Sequence, residues 1–121
     1  MSRGPVLGID IGGTKLAVGV VDGDGRVSGY LRQSTPLIGD GEELLATIVA
    51  LAGRMAPSVS ACPLAVGVGC GGPMRYPAGI VSPLHIPAWR DFPLRARLER
   101  AFGRHCQGKS CDVASGRTEA R

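Results

Sequence analysis

The chain has 121 residues, which is enough for one small domain and too few for two complete lobes at ~100–200 residues per domain. Apolar residues make up 44% of the chain and aromatic residues only 4%, so we expect an aliphatic core of strands flanked by helices. The net charge of +4 is spread along the chain, which argues against a nucleic-acid-binding surface. The sequence shows no signal-peptide pattern and no apolar run of bilayer length, so we expect a soluble, cytoplasmic protein without a membrane partner.

Two apolar runs joined by a glycine turn open the chain. The segments VLGIDI at 6–11 and LAVGVV at 16–21 are predicted to be strands, and the short spacing between them allows only a hairpin. Gly12 and Gly13 are expected to turn with positive φ and to bring bare N–H groups close to a ligand. Thr14 adds a hydroxyl and Lys15 a cation, so the turn is suited to phosphate oxygens.

Asp10 stands at the end of the first strand, next to this turn. A carboxylate beside a phosphate-binding loop repels the ligand unless a divalent cation lies between them. We therefore interpret residues 10–15 as a Mg-nucleotide phosphate site in which Asp10 binds the metal. The glycine spacing fits neither G-x-x-x-x-G-K-[ST] nor G-x-G-x-x-G, because here the glycines lead into a strand. The alternative is a glycine hairpin with a solvated carboxylate.

The following elements predict a sheet with a covering helix. Residues 22–25 are predicted to be a turn, and 26–34 a third strand antiparallel to the second. Asp40 is the predicted N-cap of a helix over 41–56, with Glu43 completing a pattern that resembles a capping box. The apolar run PLAVGVGC at 63–70 predicts a central strand parallel to the first, since it is apolar throughout and follows a helix.

The remainder of the chain divides at residue 103. A strand pair is expected around Ile80 and Val81, and a second helix over 91–103 with Asp91 as N-cap and Gly103 as stop signal. Residues 104–121 have no periodicity and few large apolar groups, so we expect disorder there and place one domain at 1–103.

The four cysteines predict no disulfide framework. Cys62 and Cys70 flank an apolar run and are expected to be small buried hydrophobes. His105, Cys106 and Cys111 have spacing that only weakly matches a metal site, so no metal is assigned to them.

The ordered combination of these motifs resembles the N-terminal lobe of the actin-like sugar kinases of the repressor/open-reading-frame/kinase (ROK) family. The matching segments are GIDIGGTKLAVGVVD at 8–22, VGVGCGGP at 66–73, GIVSPLHIPAW at 79–89 and DFPLRARLERAFG at 91–103. The resemblance implies an α/β fold, a partial actin-like ATPase (ribonuclease-H-like) lobe whose mixed sheet has three antiparallel first strands and flanking helices. It also implies ATP-dependent, glucokinase-like phosphoryl transfer to a sugar hydroxyl, with ATP and Mg²⁺ as cofactors and a hexose as substrate.

The resemblance also assigns individual residues. Those that match the Mg-phosphate positions are Asp10, Gly12, Gly13, Thr14 and Lys15. Gly71 and Gly72 match the turn that borders the sugar, and His85 stands where the family often has Asn in an Asn-x-Pro-x-Trp segment that touches sugar hydroxyls. An imidazole replaces one hydrogen bond of an amide but not both, and a packing role for His85 stays open.

The family pattern stops after Gly103, before a segment of the type Glu-Asn-Asp-x-Asn whose Asp is the catalytic base. Asp112 is the only carboxylate in the corresponding span and lacks the preceding Asn, so we assign no catalytic residue. Such a loss of pattern is typical of a frameshift or early stop in a longer kinase gene, with a deliberate short form as the alternative. We expect the chain alone to be inactive. The other interpretations are a binding module that needs an oligomer or a complementing chain, and the remnant of a ROK transcriptional regulator.

Overall fold

The computed structural model describes residues 5–55, 65–71, 73–75, 78–105 and 112–117. Its secondary structure, in chain order, is β1 (Val6–Ile11), β2 (Lys15–Val21), β3 (Val27–Ser34), α1 (Gly41–Gly53), β4 (Ala65–Cys70), β5 (Met74–Arg75), β6 (Ile80–Val81), β7 (Phe92–Pro93), α2 (Leu94–His105) and β8 (Asp112–Arg117). The strands form a five-stranded sheet in the order β3-β2-β1-β4-β8 and a small sheet in the order β5-β6-β7.

The large sheet is mixed, as the sequence predicts. β1 pairs antiparallel with β2, placing Ile11 opposite Leu16, and β2 pairs antiparallel with β3. β4 runs parallel to β1, with Ile11 opposite Cys70. The predicted meander and the predicted parallel central strand are therefore confirmed. Residues 63 and 64, at the start of the predicted run, lie outside the described residues.

The two faces of the sheet differ in side-chain size. One face carries large aliphatic residues, among them Leu7, Ile9, Leu16, Val18 and Val66. They form a single core cluster with residues of both helices, such as Ile48 of α1 and Leu98 of α2. The other face is lined by small residues and forms a shallow groove beside Asp10 and Tyr30; these small residues are Gly8, Ala17, Gly19 and Gly67. The alternation of β1 therefore buries its aliphatic residues and leaves Asp10 exposed.

Helix α1 forms where the capping signal predicts it. The Asp40 carboxylate accepts a hydrogen bond from the N–H of Glu43 at 2.9 Å, which satisfies one of the first-turn donors. The buried face of α1 consists of Leu44, Leu45, Ile48, Leu51 and Ala52. Neither α1 nor α2, the helices in the described part of the chain, is long and apolar enough to cross a membrane.

Helix α2 differs from the prediction at both ends. It begins at Leu94 rather than after an Asp91 N-cap, because residues 92 and 93 first pair with β6. Asp91 has a φ of 51°, and its N–H donates to Ser82 Oγ at 2.8 Å. The helix also continues past Gly103 to His105, since an interior glycine costs a helix only ~1 kcal/mol.

The expectation of a disordered tail is wrong for residues 112–117. They form β8, parallel to β4, with Ala65 opposite Asp112 and Cys70 opposite Arg117. Pairing with a strand edge uses backbone N–H and C=O groups, so a segment without large apolar side chains can still extend a sheet. Residues 106–111 and 118–121 lie outside the described residues.

Candidate functional site

The site residues collect at the edge of the sheet where β1 and β4 end. Because Ile11 is opposite Cys70 in parallel strands, Gly12 and Gly71 follow their strands at the same edge. The crevice outside the carboxyl ends of parallel strands is where open α/β sheets bind ligands. Residues 12–14 connect β1 to β2 at this edge, and we call them the β1–β2 turn.

The β1–β2 turn offers backbone donors to a ligand. The N–H of Gly12 donates to the carbonyl oxygen of Lys15 at 3.0 Å and closes the turn. Within the described part of the chain, no group accepts a hydrogen bond from the N–H of Gly13 or of Thr14. The side chains of Thr14 and Lys15 are exposed beside them. Successive free N–H groups next to a cation are suited to binding phosphate oxygens.

The turn needs glycine for a reason that the sequence analysis missed. Neither Gly12 nor Gly13 has a positive φ, so that expectation is wrong. A Cβ at position 13 would instead overlap Cβ of His85 and lie 3.2 Å from its carbonyl oxygen. Gly13 is therefore required for close approach, because any side chain there would displace the segment that carries His85.

Two side chains, those of Arg90 and Trp89, fix the segment around His85. The guanidinium of Arg90 donates to the carbonyl oxygens of Pro83 at 2.8 Å and Trp89 at 2.6 Å. Trp89 is fully buried, stacks on Phe92 with 4.7 Å between ring centroids, and donates from Nε1 to the carbonyl oxygen of Gly41 at 3.1 Å. These contacts hold an exposed His85 against the β1–β2 turn.

Asp10 presents an open carboxylate at the same edge. The residue is exposed and lies opposite Ala17 and Gly69, and its carboxylate accepts no hydrogen bond from any residue that the structure describes. Burial raises the pKa of the Cys70 thiol to about 12, and the negative charge of Asp10 adds to the rise. The charge of Asp10 in β1 therefore affects the thiol of Cys70 in the neighbouring strand β4.

The donor set fits one kind of metal binding. No group of three or more His, Cys, Asp or Glu side chains among the described residues could hold a metal ion by itself. Mg²⁺ is commonly bound through one or two carboxylates together with substrate phosphates and water, which is what a single Asp10 beside the turn can supply. Cys62, Cys106 and Cys111 lie outside the described residues, and Cys70 is buried as predicted.

The structure brings together most of the residues that the sequence predicts for the site. Asp10, Gly12, Gly13, Thr14, Lys15, Gly71 and His85 all lie at or against one edge of the sheet. Gly72 lies outside the described residues. Asp112 is level with Val6, four residues from the level of Asp10, or ~13 Å along the strand direction at ~3.3 Å per residue. This register places the backbone of Asp112 well away from Asp10 along the strands.

Thr35 is the site residue that the sequence analysis did not identify. It follows β3, is 8% exposed, and makes two hydrogen bonds to the β1–β2 turn. No spacing rule connects a threonine after the third strand to a turn more than twenty residues earlier. Only the pairing of β2 with β3 brings the two together.

The fold and the site together define the class of protein. The model of the ROK family matches residues 6–115, and the chain therefore belongs to the ROK family. It is 32% identical over 103 residues to a glucokinase of Streptomyces coelicolor, an alignment that covers 83% of this chain and 30% of that relative.

Solved structures agree with this assignment. A ROK family glucokinase from Streptomyces griseus, solved with glucose and AMPPNP, is 30% identical with a TM-score of 0.76, covering 94% of this chain and 33% of that one. A ROK hexokinase from Thermus thermophilus is 32% identical with a TM-score of 0.74, covering 92% of this chain and 35% of that one. The fold is thus the partial actin-like lobe expected from the sequence. The chain spans about a third of the length of these relatives.

Proposed function

We propose that this chain is the N-terminal, nucleotide-phosphate-binding part of an ATP-dependent hexose kinase of the glucokinase type. Residues 6–103 carry the proposed phosphate and sugar-side positions. The reaction transfers the γ-phosphoryl group of ATP to a sugar hydroxyl. The proposed substrate class is a hexose, since the similar proteins include a hexokinase and a glucokinase.

The contact between Gly13 and His85 is the observation that carries this proposal. It joins the turn suited to phosphate with the segment that resembles the sugar-binding one. Phosphoryl transfer relies on holding the attacking oxygen close to and in line with the phosphorus, with reacting atoms ~3–3.5 Å apart. A phosphate turn that touches the sugar-side segment is the arrangement this reaction needs.

Each residue of the edge has a role in the proposed site. The N–H groups of Gly13 and Thr14 would hold phosphate oxygens, and Lys15 would offset their charge. Asp10 would hold Mg²⁺, which neutralises charge on the phosphates when it is bound. Gly71, Gly72 and His85 would border the sugar, with the imidazole supplying one hydrogen bond.

We propose that the 121-residue chain alone does not phosphorylate hexoses. It spans about a third of its kinase relatives, and its Asp112 lies at the opposite end of the sheet from Asp10. A base must accept the proton of the attacking hydroxyl, and loss of approach geometry can forfeit ~7–11 kcal/mol of barrier reduction. We expect Mg-ATP to bind with a millimolar or weaker Kd, which corresponds to ~4 kcal/mol or less.

A chimaera tests the proposed role as a kinase lobe. Residues 6–103 replace the corresponding segment of the Streptomyces griseus glucokinase, and glucose-dependent ADP formation is measured in a coupled assay. We expect activity from the chimaera and background from the 121-residue chain. Asp10→Asn should weaken the chimaera and change its magnesium dependence, because the metal loses its carboxylate.

A matched variant distinguishes a specific loss from a general one. Asp22→Asn changes a carboxylate of the β2–β3 turn (residues 22–26), at the other end of β2, and should leave the magnesium dependence of the chimaera unchanged. A folded chimaera without activity, or one indifferent to Asp10→Asn, would contradict the proposed function. Circular dichroism and gel filtration establish whether the chimaera is folded.

A further inference from the structure

We infer that Thr35 is a positioning residue that orients the backbone of the β1–β2 turn toward bound phosphate. The inference rests on the proposed function, because it assigns how the phosphate site is held in shape. Thr35 Oγ1 donates to the carbonyl oxygen of Gly12 at 2.7 Å, and the N–H of Thr35 donates to the carbonyl oxygen of Thr14 at 2.9 Å. One residue thus holds both ends of the turn.

The planarity of the peptide bond converts these contacts into an orientation. In a trans peptide the C=O and the N–H point in opposite directions. The carbonyl of Gly12 and the N–H of Gly13 belong to one peptide unit, so holding that carbonyl on Thr35 directs the Gly13 N–H away from Thr35. That N–H has no acceptor among the described residues and is available to a ligand.

The burial of Thr35 makes the orientation persistent. The residue is 8% exposed, so water competes poorly for its hydroxyl. A buried hydroxyl without a partner is unfavourable, and the Gly12 carbonyl supplies that partner. His85 packs against Gly13 from a different segment of the chain. The turn is held by two distant parts of the sequence, and Thr35 supplies the polar contacts.

Three threonine variants separate orientation from general stability. Thr35→Val keeps the shape of the side chain and removes Oγ1, whereas Thr35→Ser keeps the hydroxyl. Thr47→Val is the matched control, since Thr47 Oγ1 also donates to a backbone carbonyl, that of Glu43 in α1, at 3.0 Å. The whole 121-residue chain is titrated with inorganic tripolyphosphate and Mg²⁺, and backbone amide shifts of residues 12–15 are followed by NMR.

The expected pattern is specific to the turn. Thr35→Val should weaken the response of the Gly13 amide about tenfold, equivalent to ~1.4 kcal/mol. Thr35→Ser and Thr47→Val should respond like the wild type, and amide exchange in β1 and β4 should be unchanged in all three variants. A merely structural role would instead change exchange protection without a selective loss of the phosphate response.

Two results overturn different statements. If Thr35→Val responds like the wild type, the inference about Thr35 is wrong and the proposed function stands. If the wild-type turn does not respond to tripolyphosphate, the proposed phosphate site itself is wrong. If Thr35→Val does not fold, hydrogen exchange of the Thr35 amide in the wild-type chain tests the inference instead. That amide donates to the carbonyl oxygen of Thr14, so its exchange should slow when tripolyphosphate binds to the turn. An unchanged exchange rate would overturn the inference.

Discussion

Two glycine turns in the same three-stranded meander are built differently. The β2–β3 turn, residues 22–26, closes on itself: the Asp22 carboxylate accepts from the N–H groups of Asp24 and Arg26, each at 3.0 Å. Its Gly25 has a φ of 86°, and a Cβ there would meet nothing within 4 Å. The β1–β2 turn is instead held from outside, by Thr35 on its carbonyl groups and by His85 against Gly13.

The difference separates a connection from a site. In the β2–β3 turn the aspartate satisfies the local N–H groups, which leaves that turn few donors for a ligand. In the β1–β2 turn Thr35 donates to the carbonyl groups of Gly12 and Thr14, and the N–H groups of Gly13 and Thr14 have no acceptor among the described residues. Asp10 beside it likewise keeps an open carboxylate. A turn supported by tertiary contacts can leave its donors available for binding.

The largest expected effect comes from a side chain at Gly13. Gly13→Ala should lower the free energy of unfolding by ~1–3 kcal/mol, because its Cβ would overlap Cβ of His85. Gly25→Asn should cost under ~1 kcal/mol, since asparagine tolerates the left-handed conformation and the space is open. Urea unfolding followed by circular dichroism measures both.

A second substitution tests whether His85 causes the cost at Gly13. In a His85→Gly background the overlapping Cβ is gone, so Gly13→Ala should be less destabilising there. Equal costs in both backgrounds, or a greater cost at Gly25 than at Gly13, would show that the β1–β2 turn is not held by His85.

The next effect is smaller and concerns the self-contained turn. Asp22→Ala removes two exposed hydrogen bonds and should lower the free energy of unfolding by ~1 kcal/mol. It should leave binding of Mg²⁺ and tripolyphosphate by residues 12–15 unchanged. Urea unfolding measures the change in stability, and an NMR titration measures the binding of Mg²⁺ and tripolyphosphate. A change in phosphate binding would mean that the two turns are coupled through β2.

The smallest expected effect compares the two carboxylates through Cys70. Burial chiefly raises the pKa of Cys70 from 9.0 to about 12, and the charge of Asp10 contributes. Asp10→Asn should therefore lower the Cys70 pKa by the smaller part of that rise, whereas Asp22→Asn should leave it unchanged. The ¹³Cβ shift of Cys70 as a function of pH reports this directly. Equal shifts in both variants would contradict a local effect of Asp10.

The raised pKa of the Cys70 thiol predicts the direction in which stability changes with pH. The unfolded chain loses the Cys70 proton at a lower pH than the folded chain does, because the folded pKa is raised. The contribution of Cys70 to stability is therefore fully present below pH 9.0 and declines as the pH rises toward about 12. Cys70→Ala should lack this decline, which urea unfolding at several alkaline pH values measures.

Local patterns predicted most of the fold. The strands predicted within 6–34, the Asp40 cap and the apolar run at 63–70 each depend on neighbouring residues in the sequence. The first two predictions are confirmed, and the third is confirmed from Ala65 onward. The start of α2 and the strand at 112–117 depend on pairing with β6 and β4, which lie elsewhere in the sequence. Tertiary pairing overrode the cap signal of Asp91 and the low hydrophobicity of the tail.

The site residues also divide into those that neighbouring residues predict and those that depend on contacts distant in the sequence. Asp10 and the residues of the β1–β2 turn were predicted because carboxylate, glycines, threonine and lysine are adjacent in the sequence. The reason for Gly13 was missed, since the approach of His85 leaves no local signal. Thr35 was missed because a single threonine after a strand has no distinguishing pattern, and its role depends on hydrogen bonds across the sheet.

The two turns also provide the most direct test of the phosphate site. The wild-type chain is titrated with Mg-ATP, and the amide shifts of residues 12–15 and of residues 22–26 are compared in the same NMR spectra. The residues of the β1–β2 turn should shift with a common millimolar or weaker Kd, and residues 22–26 should not. Shifts confined to residues 22–26, or of equal size in both turns, would contradict a phosphate site at the β1–β2 turn.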